Sequence, residues 1–171
     1  MEHSIDLALA LLRVCLGLTL AAHGYGKFFR GGRIPGTARW FDSMGMRPGK
    51  VHALMAASTE VSAGVGIAVG LLTPFACMGL VGVMVVAGWT VHRKNGFFIV
   101  KEGWEYNFIL AAMAIVLGGL GPGRWSFDHE IGIVNELDGY TGMLIAALGL
   151  VAGALQLAIF YRPPAPKPSE T

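Results

Sequence analysis

Two ionisable residues lie inside long apolar segments, and they are the first candidates for chemistry. Arg13 is part of LLRVCLGLTLAAHGYGKFF, and Glu60 is part of STEVSAGVG. A lone charge within a bilayer costs about 3 kcal/mol or more, so such residues pair with one another or serve a function. We therefore predict an Arg13–Glu60 ion pair. Two roles stay open for it: fixing the register of the helices, or forming a proton or ligand site centred on Glu60.

The composition is that of an integral membrane protein. Of the 171 residues, 54% are hydrophobic and 14% are charged, and the mean hydropathy is +0.57. A soluble domain carries more charge than this, whereas several runs approach the ~20 apolar residues that cross a bilayer. The first run is predicted to be a retained helix, because acidic residues precede it where a signal peptide would be basic. The net charge of +2 and the lack of a dense basic stripe argue against a nucleic-acid partner.

The apolar runs predict an all-α membrane helix bundle that forms a single domain over residues 1–162. Its core is expected to be four helices, with a fifth, C-terminal transmembrane helix added. Within residues 37–44, Trp40, Phe41 and Met44 fall on one helical face, which predicts a short amphipathic helix at the membrane interface; an ordinary loop is the alternative. Residues 163–171 are proline-rich and are predicted to be a disordered cytoplasmic tail. The predicted transmembrane helices cover residues 5–28, 51–72, 74–92, 104–120 and 139–161.

The distribution of charge predicts the orientation of the bundle. The first and third connections and the tail are basic, whereas the N-terminus and the connection before the fifth helix are acidic. Because basic segments stay in the cytoplasm, the N-terminus is predicted to lie outside and the C-terminus inside. The basic residues of the first connection are Lys27, Arg30, Arg33, Arg39, Arg47 and Lys50.

A second group of polar residues is predicted near the cytoplasmic ends of the helices. His23 and Lys27 lie one turn apart on the first helix and lead toward Glu60; extension of Lys27 to the lipid headgroups is the alternative. The histidines come from separate helices without an ExxH companion, so no metal site is predicted. No glycine-rich motif indicates a flavin or nucleotide. The other members of the group are His52, His92, Trp104, Glu105, Tyr106 and Asn107.

Short motifs follow one another in order along residues ~10 to 128. An arginine and HG..K stand in the first helix, a glutamate in the second, G.EY at the start of the fourth and GPGR.S.D after it. They lie in LLRVCLGLTLAAHGYGKFF, STEVSAGVGIAVGLLTPFACMGLVGVMVVA and NGFFIVKEGWEYNFILAAMAIVLGGLGPGRWSFD. Together these stretches resemble the DoxX family of small bacterial membrane proteins. The positions that the resemblance singles out are Arg13, His23, Lys27, Glu60, Glu105 and Asp128.

The resemblance implies a four-helix core in a bacterial inner membrane. Some members of the family are tied to quinone-linked oxidation of sulfur compounds, or to membrane redox complexes with soluble partners, and most have no assigned activity. This chain departs from the family pattern after Asp128, where it adds an acidic loop and the fifth helix. Gly149 and Gly153 form a GxxxG-like face on that helix, which packs either on the core or on a second subunit of a homo-oligomer.

Three functions stay open on the sequence alone. The first is a membrane subunit that links a soluble oxidoreductase of sulfur-compound or oxidative-stress metabolism to quinone. In that case quinone lies beside Trp104 and Tyr106, Glu60 or His23 handles protons, and the electrons come from a partner's cofactor. The second is a non-catalytic scaffold or assembly factor, whose basic first connection docks another enzyme. The third is a small proton-coupled permease, for which no inverted repeat is visible.

Overall fold

The regular elements of the protein are helical. The structure is a computed structural model that describes residues 2–164, and within that range one isolated bridge, between Met46 and Tyr161, is the exception. The helices are α1 (Glu2–Phe29), α2 (Arg33–Met44), α3 (Gly49–Val69), α4 (Thr73–Ala87), α5 (Glu105–Leu120), α6 (Phe127–Glu130), α7 (Val134–Leu137) and α8 (Gly139–Phe160). A π-helical turn, Gly88–His92, and a 3-10 turn, Arg93–Asn95, extend α4. A further 3-10 turn, Ile99–Lys101, lies before α5.

Among the described residues, four helical segments are long and apolar enough to cross a bilayer. They are His3–Phe29, Gly49–Val69, Thr73–Asn95 and Gly139–Phe160. These segments confirm the predicted all-α, multi-pass membrane fold, and their outward faces contact lipid. The remaining apolar helix, α5, has 16 residues. At 1.5 Å per residue it rises about 24 Å, which is less than the ~30 Å hydrocarbon core of a bilayer.

The helix ends differ from the predicted ones where the backbone turns. The second transmembrane helix is predicted to end at residue 72, but α3 ends at Val69, because Gly70 takes a left-handed conformation with φ +69°. The short interfacial helix predicted at 37–44 corresponds to α2, which begins at Arg33. From residue 165 onward, the predicted tail of residues 163–171 lies outside the described part of the chain.

Helices α1, α3 and α4 pack in a row, and α5 and α8 both pack against α4 at the end of that row. α1 packs on α3, α3 packs on α4, and α4 contacts both α5 and α8, which also contact each other. α2 lies against α3. The α1–α3 contact is close because glycines face each other: a Cβ on Gly17 would lie 2.6 Å from the backbone nitrogen of Ala68, and one on Gly64 would lie 2.6 Å from the carbonyl oxygen of Gly17. Small residues at such a contact let two membrane helices pack backbone to backbone.

The glycines of α8 pack on the core of the same chain. A Cβ on Gly149 would lie 2.7 Å from Cβ of Val81, and one on Gly153 would lie 2.9 Å from the carbonyl oxygen of Gly82. Of the two partners that the sequence left open for this face, the structure shows the core, through α4. The face is therefore buried within the bundle.

We expect Gly17→Ala to destabilise the bundle by about 1–3 kcal/mol, because the added methyl has no room between α1 and α3. Gly26→Ala is the matched control on the same helix, since a Cβ there meets nothing within 4 Å. Replacing a helical glycine by alanine in open space is expected to be neutral or stabilising by up to about 1 kcal/mol. Reversible unfolding in mixed micelles, followed by circular dichroism, measures both. Equal effects of the two substitutions would contradict the close α1–α3 contact.

Candidate functional site

An apolar cavity of about 360 Å³ lies between α2, α3, α4 and α8. Trp40 and Phe41 of α2 and Phe160 of α8 supply aromatic walls, and most of the remaining lining is aliphatic. Two charged side chains, Lys27 and Glu60, are part of the lining. The cavity is therefore lipophilic, with one pair of charged side chains in its wall.

Lys27 and Glu60 form an ion pair that joins α1 to α3. The Lys27 Nζ donates to both carboxylate oxygens of Glu60, at 2.7 Å from Oε1 and 2.5 Å from Oε2. The Glu60 side chain is 6% exposed and that of Lys27 is 19% exposed. Removing one partner of such a pair leaves a buried charge without compensation, which is strongly unfavourable.

The close approach of α1 and α3 is what allows the two charges to meet. A Cβ on Gly24 would lie 2.7 Å from the carbonyl oxygen of Ala57 and 2.8 Å from the backbone nitrogen of Val61. Lys27 lies one turn after Gly24 on α1, and Glu60 lies between Ala57 and Val61 on α3. Because the backbones touch at this level, the lysine side chain can cross to the neighbouring helix without leaving the bundle.

The predicted Arg13–Glu60 pair is wrong. The Arg13 Nη2 donates to the backbone carbonyl of Trp125, and the guanidinium packs against Gly70 at the turn between α3 and α4. Glu60 lies ten residues before Gly70, or about 15 Å along a helix. The depth count from the sequence took the helices to begin at one level, whereas α1 extends beyond the end of α3.

Arg13 is part of a buried cluster that holds the loop after α5 onto the ends of other helices. Asp128 accepts hydrogen bonds from the backbone nitrogens of Leu72, at 2.6 Å, and Thr73, at 2.9 Å. It also accepts one from the Thr73 hydroxyl at 2.7 Å. A carboxylate at this position caps α4 and lies at the positive end of its dipole. Asp128 also lies close enough for its charge to act on Arg13. The arginine and the aspartate thus have structural partners far from Glu60.

The histidines are not gathered at one point. His23 is exposed on α1, four residues before Lys27, and lies within electrostatic range of Glu60. His52 is buried against the ring of Phe160, with centroids 4.9 Å apart, and its Nδ1 lies 3.1 Å from Nε2 of Gln156. In the part of the chain that the structure describes, no group of three or more His, Cys, Asp or Glu side chains could hold a metal ion.

The predicted site residues of the α4–α5 connection have local partners. The Nδ1 of His92 lies 2.7 Å from the carbonyl oxygen of Glu102. The Glu105 carboxylate accepts a hydrogen bond from the backbone nitrogen of Ile99 at 2.8 Å. The Trp104 ring packs edge-on against Phe97, with centroids 4.8 Å apart. These contacts order the connection.

Two predicted parts of one quinone site lie apart. Glu60 lines the cavity described above, whereas Trp104 lines a second one between α4, α5 and α8, on a different face of α4. Tyr106 is exposed and lines neither of these cavities. The structure brings Lys27 together with Glu60, places His23 beside them, and separates these three from Trp104 and Tyr106.

A comparison with known protein families assigns the chain to one of them. The family model described as DoxX matches residues 8–93. The chain belongs to the DoxX family. No curated protein and no solved structure matches it significantly. The matched range contains both partners of the Lys27–Glu60 pair, together with Arg13 and His23, whereas Glu105 and Asp128 lie beyond it.

Several lining residues of this DoxX cavity were not singled out from the sequence as a site. They are Thr59, Met44, Met55, Met78 and Gln156. Two signals pointed toward them. The apolar face predicted for residues 37–44 is the face that α2 turns to the cavity, and Gln156 is an isolated amide in the otherwise apolar α8. The methionines carried no such signal, because methionine in an apolar helix is ordinary core.

Lys27→Met is expected to destabilise the DoxX bundle by about 3–5 kcal/mol, because the Glu60 carboxylate stays buried without its partner. Glu60→Gln is expected to cost less, since the partly exposed Lys27 can extend toward the headgroups. The double variant should recover part of the loss, with a coupling energy of about 1–3 kcal/mol. Unfolding in mixed micelles measures the cycle. Lys101→Met, on an exposed loop, is the control and should stay within about 0.5 kcal/mol of wild type. Additive effects of the two substitutions would contradict the ion pair.

Proposed function

We propose that this DoxX protein is the quinone-binding membrane subunit of a redox system that receives electrons from a soluble oxidoreductase. The observation that carries the proposal is the apolar cavity with the Lys27–Glu60 pair in its wall. The proposal keeps the quinone expected from the sequence but moves it from Trp104 and Tyr106 to this cavity.

The cavity suits a flat, lipophilic molecule with polar atoms at one end. Its volume of about 360 Å³ falls within the ~300–1,000 Å³ of typical ligand pockets. Trp40, Phe41 and Phe160 offer aromatic surface to a ring. A quinone head group carries carbonyl oxygens that accept hydrogen bonds, and the Lys27 ammonium is the charged donor within reach of the cavity.

The charged pair supplies what the reaction of a quinone requires from the protein. Reduction to the quinol consumes two electrons and two protons. The Lys27 Nζ donates a hydrogen bond to a head-group oxygen, which stabilises the charge that develops there. The Glu60 carboxylate takes up protons and passes them to the cavity, and the exposed His23 beside it is the relay toward water. The electrons come from the redox cofactor of the soluble partner.

The end of the bundle that carries α2 is the surface on which such a partner would dock. Its basic residues are exposed and lie on α2, on either side of it and at the start of α3: Arg30, Arg33, Arg39, Arg47 and Lys50. In the predicted orientation this end faces the cytoplasm. A positive surface accelerates association with an acidic partner. The same observation supports the second candidate, a non-catalytic scaffold, and quinone binding in the cavity separates the two.

The test uses the fluorescence of Trp40, which lines the cavity. A short-tailed quinone, titrated into purified protein in detergent, is expected to quench wild-type fluorescence saturably. Trp40→Phe should remove most of the saturable component. Trp104→Phe is the matched control and should retain it, because Trp104 lines the other cavity. Lys27→Met is expected to raise the Kd about tenfold, which corresponds to the loss of ~1.4 kcal/mol.

Two results would count against quinone in this cavity. One is a folded protein whose quenching never saturates, which favours the scaffold. The other is saturable quenching that depends on Trp104 and not on Trp40, which returns the quinone to the site expected from the sequence.

A further inference from the structure

A second cavity, of about 400 Å³, lies between α4, α5 and α8 and plays no part in the proposed function. Trp89, Trp104 and Phe108 form its aromatic wall, and Leu150 contributes from α8. These three aromatic side chains are also exposed on the outside of the bundle. The cavity is therefore a groove that is open toward the lipid.

An arginine side chain lies at one end of this groove. The guanidinium of Arg93 lies 4.0 Å from the centroid of the Trp89 ring, as a cation–π contact. Arg93 lines the groove and is exposed, and Lys94 beside it is exposed as well. Tryptophan and arginine together are typical of the level of the lipid headgroups. The other end of the groove is apolar.

A polar group lies deeper in the groove. Asn107 is buried, its Nδ2 lies 3.6 Å from the thioether sulfur of Met84, and its Oδ1 has no hydrogen-bond partner among the described residues. Asn107 packs at the level of Gly88, five residues before Arg93 and thus about 7–8 Å further into the bundle. A thioether is a weak acceptor, so the amide donor is available to a stronger one.

The connection next to the groove is also suited to contact with lipid. Phe98, Ile99 and Val100 are exposed, and Val100 reaches 85%. α5 is about 6 Å shorter than the hydrocarbon core, so exposed apolar residues just before it suit the membrane interface better than water. Lys101 follows them directly and is exposed.

We propose that the groove binds one phospholipid with an anionic headgroup. The phosphate contacts Arg93, the ester region lies at the level of the Asn107 amide, and an acyl chain follows the aromatic wall toward Leu150. Charge complementarity selects the headgroup: basic pockets between membrane helices on the cytoplasmic side bind acidic lipids. One arginine near the headgroup is expected to favour an anionic over a zwitterionic lipid about fivefold.

Native mass spectrometry of the detergent-solubilised full chain tests this inference. The probes are phosphatidylglycerol and phosphatidylcholine with identical acyl chains, added in equal amounts. Wild type should retain one phosphatidylglycerol about fivefold more often than phosphatidylcholine. Arg93→Gln should abolish that preference. Arg30→Gln is the matched control, because Arg30 also lies over an aromatic ring, that of Tyr25 at 6.0 Å, at the same end of the bundle but outside the groove.

A second variant tests the groove without changing charge. Ala111→Trp fills the space between α4 and α5 and should remove bound lipid while Arg93 is intact. Equal retention of the two lipids by wild type would overturn the proposal. So would equal losses in Arg30→Gln and Arg93→Gln, which would show diffuse attraction to a basic surface. Displacement of the lipid by a short-tailed quinone would overturn it too. The first two results do not bear on quenching of Trp40, so this inference can fail independently of the proposed function. Displacement by a quinone would also place a quinone beside Trp104, and the Trp40→Phe and Trp104→Phe titrations show whether the Trp40 cavity binds one as well.

Discussion

The Glu60 carboxylate lies 6% exposed in an apolar bundle, with the Lys27 ammonium 2.5 Å away, and most other features of the structure follow from this contact. A buried carboxylate without its partner would be too costly to keep. The partner comes from another helix, so α1 and α3 must approach closely, and glycines at the contact permit that. The same pair forms the charged part of an otherwise apolar cavity. The stability of the bundle and the polarity of the cavity thus depend on one interaction.

The polar residues at the two ends of the bundle differ in their partners. At one end, Arg13 and Asp128 hold the loop after α5 against the α3–α4 turn, through hydrogen bonds to backbone groups and to the Thr73 hydroxyl. At the other end, exposed basic residues surround the approaches to both cavities. Family motifs therefore do not all indicate chemistry: the arginine and the aspartate are explained by folding, whereas the lysine and the glutamate line a cavity.

Composition and hydrophobic runs were sufficient to predict an all-α membrane bundle, since bilayer thickness sets the length of a spanning helix. They were not sufficient to predict which charged side chains form ion pairs. Counting each helix from its own outer end puts Arg13 and Glu60 only about 7 Å apart in depth, a gap that an arginine side chain can span. The overhang of α1 beyond α3, which enlarges that gap, is a tertiary property. Likewise, the sequence predicts that Trp104 and Glu60 share one site, but they line separate cavities on different faces of α4. The amphipathic pattern of residues 37–44 was more informative, because one face of a short helix can be read without knowing its neighbours.

A solid-state NMR distance measurement in liposomes, between ¹⁵Nζ of Lys27 and ¹³Cδ of Glu60, tests the ion pair and its role most directly. We expect direct contact between the two groups, with chemical shifts of both that change when a quinone is added. Dephasing of the Glu60 carboxyl by the Arg13 guanidinium in place of Lys27 would contradict the ion pair. Contact that is present but insensitive to quinone would contradict the assignment of the pair to the ligand site.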